Sequence, residues 1–160
     1  MTPFRGRHVA LLLALAGPAG ATEPAAAFLD ILPGNGGAPV HLNARQVVRV
    51  ARLEGITILD TTAFVQQRSS EPLEVVAQRL IAAGLPLVPL TDLNGARTYL
   101  ALDRIVLVRG SEERHAAGAR AAIVVTGLRF ATDVAVRETV AEAMAAIGRA
   151  SPLEPRRSTP

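Results

Sequence analysis

The chain contains no cysteine, no lysine and no tryptophan. Without cysteine there is no disulfide, no thiolate nucleophile, no Cys-zinc site and no cysteine-ligated iron–sulfur cluster. Without lysine there is neither a Ser-x-x-Lys pair nor the lysine of a phosphate-binding loop. All 17 basic residues are therefore Arg, which reads as a bias of coding composition. Four Phe and one Tyr are the whole aromatic content, so a core has to be assembled from Val, Leu, Ile and Ala. An excess of charge of one sign is missing as well, since residues 22–150 hold 13 Arg and 13 acids. A neutral body with few stacking rings lacks the basic stripe that nucleic acid requires, and it has no electrostatic reason to sit on anionic lipid.

What is present is ordinary for a folded domain: 160 residues, 49% apolar and 19% charged, which excludes a disordered polar chain. Residues 1–21 carry the three parts of a secretory signal. Arg5, Arg7 and His8 form a basic front, Val9 to Ala16 an unbroken apolar run, and Ala19-Gly20-Ala21 a small-residue cleavage site after the Gly17-Pro18 break. Cleavage is expected after Ala21, giving a periplasmic or secreted protein. Eight apolar residues would reach about 12 Å as a helix, against a hydrocarbon core of about 30 Å, so no stable membrane span is expected after cleavage.

The sequence then repeats itself. At an offset of 58, Gly37/Gly95, Ala38/Ala96, Leu42/Leu100, Val48/Val106 and Val50/Val108 are identical; at an offset of 64, Glu74/Glu138, Val76/Val140, Ala77/Ala141, Ala82/Ala146 and Gly84/Gly148 are identical. Each copy reads as short β-branched strands followed by a helix. In the first copy the expected strands are 28–32, 40–42, 47–51, 56–60 and 63–66, with a turn at Pro33-Gly34-Asn35-Gly36-Gly37. In the second they are 87–90, 96–100, 105–108, 121–125 and 128–131, with Asn94-Gly95 as a hairpin signal. Ser70 is expected to cap a helix with stripe Leu73, Val76, Ala77, Leu80 and Ile81, closed by Gly84. Asp133 is expected to cap a second, with stripe Val136, Val140, Ala143, Met144 and Ile147, closed by Gly148.

These spacings predict an α+β fold. Two pseudo-equivalent units, residues 22–84 and 85–148, each a small antiparallel sheet with a C-terminal helix, pack as one compact domain. Residues 149–160 form a disordered tail. A unit of about 60 residues is marginal alone, so the two are expected to cover each other's apolar faces about a pseudo-twofold axis, in a monomer.

The order Gly37-Ala-Pro-Val-His-Leu-Asn43, an apolar strand, Ile56-Thr-Ile-Leu59, Phe64-Val-Gln66 and Glu71-Pro-Leu-Glu-Val-Val76 resembles the small FlbD-type flagellar accessory proteins. The second copy, with Leu90-Thr-Asp-Leu-Asn-Gly95 and Tyr99, is similar but has Ala101 where the first has Asn43. The resemblance covers residues 28–83 and, more loosely, 87–147. It implies a few strands with a C-terminal helix and a non-enzymatic role linked to motility, although those proteins are single units of the cytosol.

Few residues suggest chemistry. His41 lies in a strand, and its counterpart Tyr99 suggests a packing slot with a polar tip. A hydrolase would need His41, Asp60 and Tyr99 to converge between the copies. Asp60-Thr61-Thr62 and Ser69-Ser70 offer hydroxyls, but a nucleophile needs an adjacent base and an oxyanion hole, and a turn and a helix cap explain them. Residues 109–120 depart most from the repeat, and loops that differ on a shared scaffold are where binding is located. Arg109, Glu112, Glu113, Arg114, His115 and Arg120 are accordingly the candidate binding residues. No metal site and no cofactor are expected, because Glu112, Glu113 and His115 lack ligand spacing on a rigid element. The sequence points first to a protein partner in the cell envelope, with a periplasmic hydrolase or a ligand carrier as alternatives.

Overall fold

The computed structural model describes residues 27–129 and 133–151. The expected signal segment and residues 152–160 of the expected tail lie outside the described residues. The order is β1 (Phe28–Ile31), β2 (Val40–Asn43), a 3-10 turn (Ala44–Gln46), β3 (Val47–Leu53), β4 (Ile56–Thr61), β5 (Gln66–Ser69) and α1 (Leu73–Ala82). It continues with β6 (Leu87–Thr91), β7 (Arg97–Ala101), a second 3-10 turn (Leu102–Arg104), β8 (Ile105–Gly110), β9 (Ala121–Val125), β10 (Asp133–Val136) and α2 (Val140–Ala150). Every strand pairing is antiparallel. The strands form sheets of two (β1-β2), five (β5-β4-β3-β7-β6) and three (β10-β9-β8). The fold is α+β.

Local chemistry explains most boundaries. Glu54 and Gly55 both have positive φ, 51° and 81°, as a two-residue hairpin turn between right-twisted strands requires. The Asp92 carboxylate accepts from the backbone N–H of Asn94 and Ala96, which closes the β6–β7 hairpin around Asn94-Gly95. Gly84, at φ 89°, ends α1: its N–H donates to Ile81 O, and Leu85 N–H donates to Leu80 O. This left-handed stop favours glycine.

Several sequence expectations are corrected. The strand expected at 63–66 is β5, three residues later, because Thr61, Thr62 and Phe64 form the turn. The strand expected at 128–131 lies partly outside the described residues, and the chain resumes as β10 at Asp133. Asp133 therefore opens a strand and caps no helix, and Val136 is a strand residue. Helix α2 is capped by Thr139, whose hydroxyl accepts from Glu142 N–H while the Glu142 carboxylate accepts from Thr139 N–H. That reciprocal pair is a capping box. Gly148 lies inside α2, which runs to Ala150, two residues into the expected tail. Ser70 does not cap α1; Pro72 occupies the cap with no side-chain bond, and Ser69 Oγ instead accepts from Glu71 N–H. Ile81 and Met144, expected in the apolar stripes, are exposed.

The succession strand–strand–3-10–strand–strand–strand–helix occurs twice, and several interactions recur. Leu32 N–H donates to Glu71 and Thr91 N–H to Glu138. Ser70 N–H donates to Leu32 O and Arg137 N–H to Thr91 O; Thr62 N–H donates to Gln46 O and Thr126 N–H to Arg104 O. The β3–β4 and β8–β9 ladders break register between Val47 and Arg49 and between Ile105 and Leu107. These bonds set Glu71 beside Glu138, so the offset at the helices is 67 and not the 64 read from Glu74 and Glu138.

The two halves do not cover each other face to face. They meet edge to edge, β3 against β7, with Arg49 opposite Leu100 and Val50 opposite Tyr99. A closed twofold would also pair β8 with β2, yet β8 is the edge of its sheet and β2 pairs only with β1 among the described strands. Two cores result, and the joint laces them together. Leu87 and Ala101 enter the core built on α1, while Val48 enters the core built on α2. Gly127, at φ 90°, brings its backbone so close that an added Cβ would lie 2.9 Å from Val48 Cγ2.

Two outcomes are expected. Val48→Ala should lower the unfolding free energy by about 2 kcal/mol, through lost burial and a cavity, whereas the exposed counterpart Val106→Ala should stay within about 0.5 kcal/mol; urea unfolding of dilute protein measures both. Hydrogen bonds from Thr139, first from its backbone N–H and then from its hydroxyl, hold the Glu142 carboxyl below its ordinary range. A lowered folded pKa gives stability that is present above the unfolded value and is lost as pH falls through the folded one. Thr139→Ala removes the capping hydroxyl and should lower the melting temperature near neutral pH, and the part of that loss carried by the Glu142 carboxylate should fade in acid titrations monitored by thermal melting.

Candidate functional site

The long connection between β8 and β9 is folded back on the sheet by charge. Asp133, at the start of β10, receives three groups on one carboxylate oxygen: the guanidinium of Arg109, that of Arg114 at 2.7 Å and the imidazole of His115 at 3.4 Å. Glu112 bridges the same arginines, 3.3 Å from Arg109 and 3.2 Å from Arg114. His115 N–H donates to Glu112 O, and Glu112 N–H donates to His115 Nδ1. Because Nδ1 accepts, the ring hydrogen sits on Nε2 and points at Asp133. The His115 side chain is 7% exposed, so it serves as the filling of the loop. Glu113 is exposed beside it. Arg120 closes the loop, with its N–H donating to Val136 O, its carbonyl accepting from Ser111 N–H, and its guanidinium 3.7 Å from Glu142 on α2.

The candidate binding residues are thus brought together, except that Arg120 faces α2. The organising group is Asp133, which a helix-cap reading hides. The available signal was a carboxylate opening the β-branched run Val134-Ala135-Val136, opposite a loop with two arginines and a histidine.

The three residues of the hydrolase reading do not form one constellation. His41 lies opposite Asp30 across the β1–β2 ladder and bonds to it at 2.5 Å, with both side chains largely exposed. Asp60 bonds to Arg49 at 2.7 Å and Gln66 at 2.9 Å. Tyr99 is partly buried in β7 against the first core. His41 and Asp60 are each satisfied by a local partner. Asn43, the residue missing from the second copy, accepts from Arg45 N–H at the head of the first 3-10 turn; the second turn forms with Ala101 and no such bond.

Two concavities bear on recognition. A polar cleft of about 360 Å³ is bordered by Arg49, Arg52, Gln66, Asp92, Asn94 and Asp133, so the loop's anchor is also a wall of the cleft. An open apolar groove of about 470 Å³ lies near the helix C-termini, bordered by Ile81, Pro86, Leu87, Pro89, Ala146 and Ala150. The joint between the halves is filled by Val48, Val50 and Leu100, all fully buried. Among the described residues no cluster of three His, Asp or Glu has metal-binding geometry, and no helix is long and apolar enough to cross a membrane.

Compared with known proteins, the chain matches no family model, no curated protein and no solved structure.

Asp133→Asn should release the loop, since a neutral amide keeps the shape and loses the charge that both arginines and the imidazole bond. Amide exchange across residues 111–120 should speed by about tenfold or more, and trypsin should cut faster after Arg114. The partly exposed pairs limit the cost in global stability to about 1 kcal/mol. Unchanged protection would show that the loop holds its shape without Asp133.

Proposed function

We propose that this chain is an exported, non-catalytic interaction protein, an accessory of an envelope or appendage assembly. The observation that carries the reading is the loop at residues 109–120. Where the first half joins its paired strands with Glu54 and Gly55, the second builds a loop folded on Asp133 that holds Arg109, Glu112 and Arg114 by ion pairs and leaves Glu113 exposed beside them. A preorganised charged surface selects a partner with little ordering cost. Its mixed signs suit a protein surface better than a polyanion. Export rests on residues 1–21, and the motility link on the resemblance to FlbD-type proteins. His41 and Asp60 bond to separate partners, and Tyr99 packs against the first core, which favours interaction over hydrolysis.

Affinity capture from a periplasmic extract tests the reading. Wild type should retain an envelope protein that is lost when residues 111–119 are shortened to a two-residue turn, and weakened about tenfold by Arg114→Glu, because a charge at an interface is reversed. Equal recovery by wild type and the shortened chain would overturn it.

A further inference from the structure

The joint between the halves uses one edge of each, which leaves one unlike edge of each unpaired among the described residues. Under the offset of 58, β8 is the counterpart of β3, and β2 is the counterpart of β7. The buried positions of the joint are Val48 and Val50 on β3, and Thr98 and Leu100 on β7. Their counterparts lie in the open. Val106 is 59% exposed where Val48 is fully buried, and Val40 is 37% exposed where Thr98 is 2% exposed. Val108 and Leu42 are half-buried where Val50 and Leu100 are fully covered. Three of these four counterparts are the same residue as in the joint, and the fourth replaces Thr with the more apolar Val. The ladder irregularity at Val48, which lies in the neighbouring core, is repeated at Val106, which among the described residues has no neighbouring core to enter. Leu107, beside it, is 43% exposed.

We propose that β8 of one copy docks on β2 of a second copy, head to tail, repeating between chains the joint that β3 and β7 make within one. By the internal register, Leu107 would pair with Leu42 of the second copy and Val108 with His41. The occupant follows from complementarity: a plug edge and a receiving edge stand on one chain, each the match of the other's lost partner. Such an interface is heterologous, so every added copy uses one of its edges and offers the other, and the assembly grows as a row. The receiving notch is narrower than the internal one, since the counterpart of Gly127 at the offset of 64 is Ala63, so the association is weaker than the covalently enforced joint and reversible. The inference extends the interaction role proposed above and can fail without it.

The test uses the full chain as recovered from cells, followed by light scattering and sedimentation velocity from micromolar to sub-millimolar concentration. Wild type should grow in mass with concentration beyond a dimer. Val106→Glu and Val40→Glu each place a charge on one edge and should each weaken self-association about a hundredfold, with circular dichroism and melting temperature unchanged because both positions are exposed. Mixing the two variants should restore a one-to-one complex and nothing larger, since each keeps the edge the other lacks. A wild type that stays monomeric throughout would overturn the proposal, as would association indifferent to Val106→Glu. So would a Val40→Glu chain that dimerises alone and gains nothing from the mixture, since that result describes β8 pairing with β8. A monomeric chain that still captures an envelope protein through its loop would overturn the row and leave the interaction role standing.

Discussion

Val48 sits at zero exposure in the core of the half to which it does not belong, and the molecule's architecture depends on that placement. A regular strand sends alternate residues to opposite faces. In β3 the ladder slips between Val47 and Arg49, so that Val47 and Val50, three residues apart, both enter the first core while Val48 enters the second. Arg49, between Val48 and Val50, is held by Asp60. One short strand thereby nails two cores together at its edge, in the way that bulges elsewhere re-aim a side chain. Thr98, almost wholly buried, reaches back across the joint toward Val50 O. Arg104 ties the two 3-10 turns together by donating to Arg45 O. A half of about 60 residues would be marginal alone, and the joint adds shared burial to both cores.

The charges follow the same economy. Several sit against a local partner: Asp30 with His41, Arg49 with Asp60, Glu71 with Arg79, Asp133 with Arg109 and Arg114. Most of these pairs are partly exposed and contribute little stability individually. Their work is geometric. Arg79 holds the carbonyl of Asp30 as well as Glu71, which fixes α1 over β1. Asp133 gathers a loop that would otherwise be an exposed arm of Gly, Ala and charge. A body that is neutral overall projects little long-range field.

The sequence made the strands and the first helix legible because β-branched runs and a stripe at helical spacing are local signals. Strand β9 was read at its true bounds and β1, β2 and β6 to within a residue. What it hid were the choices that depend on a partner. Val136 continues the α2 stripe as well as it continues a strand, and only the pairing of β10 with β9 decides between them. The Thr139-x-x-Glu142 box was present to be read, but Asp133 is also an acceptable cap and came first. His41 and Asp60 are both strand residues with polar tips. Whether they meet is a matter of register, and register set His41 opposite Asp30. The edge-to-edge joint was least visible of all, because an apolar residue that will be buried under a neighbouring face and one that will be buried past a neighbouring edge look alike in a string of letters.

Exposed apolar strand edges are a hazard that proteins ordinarily blunt with lysine, proline or covering segments. This chain has no lysine at all. Its β8 edge carries Val106 and Leu107 in the open, and Val40 opens the β2 edge. The β3 and β7 edges carry the same kinds of residue and are covered by each other. A tandem closed about a twofold axis would have covered all four edges and ended as a self-contained body. A tandem joined on one side only has two unlike ends of matching chemistry. The asymmetry of the joint and the persistence of apolar residues at its counterparts are two observations that the proposed row of copies would explain together.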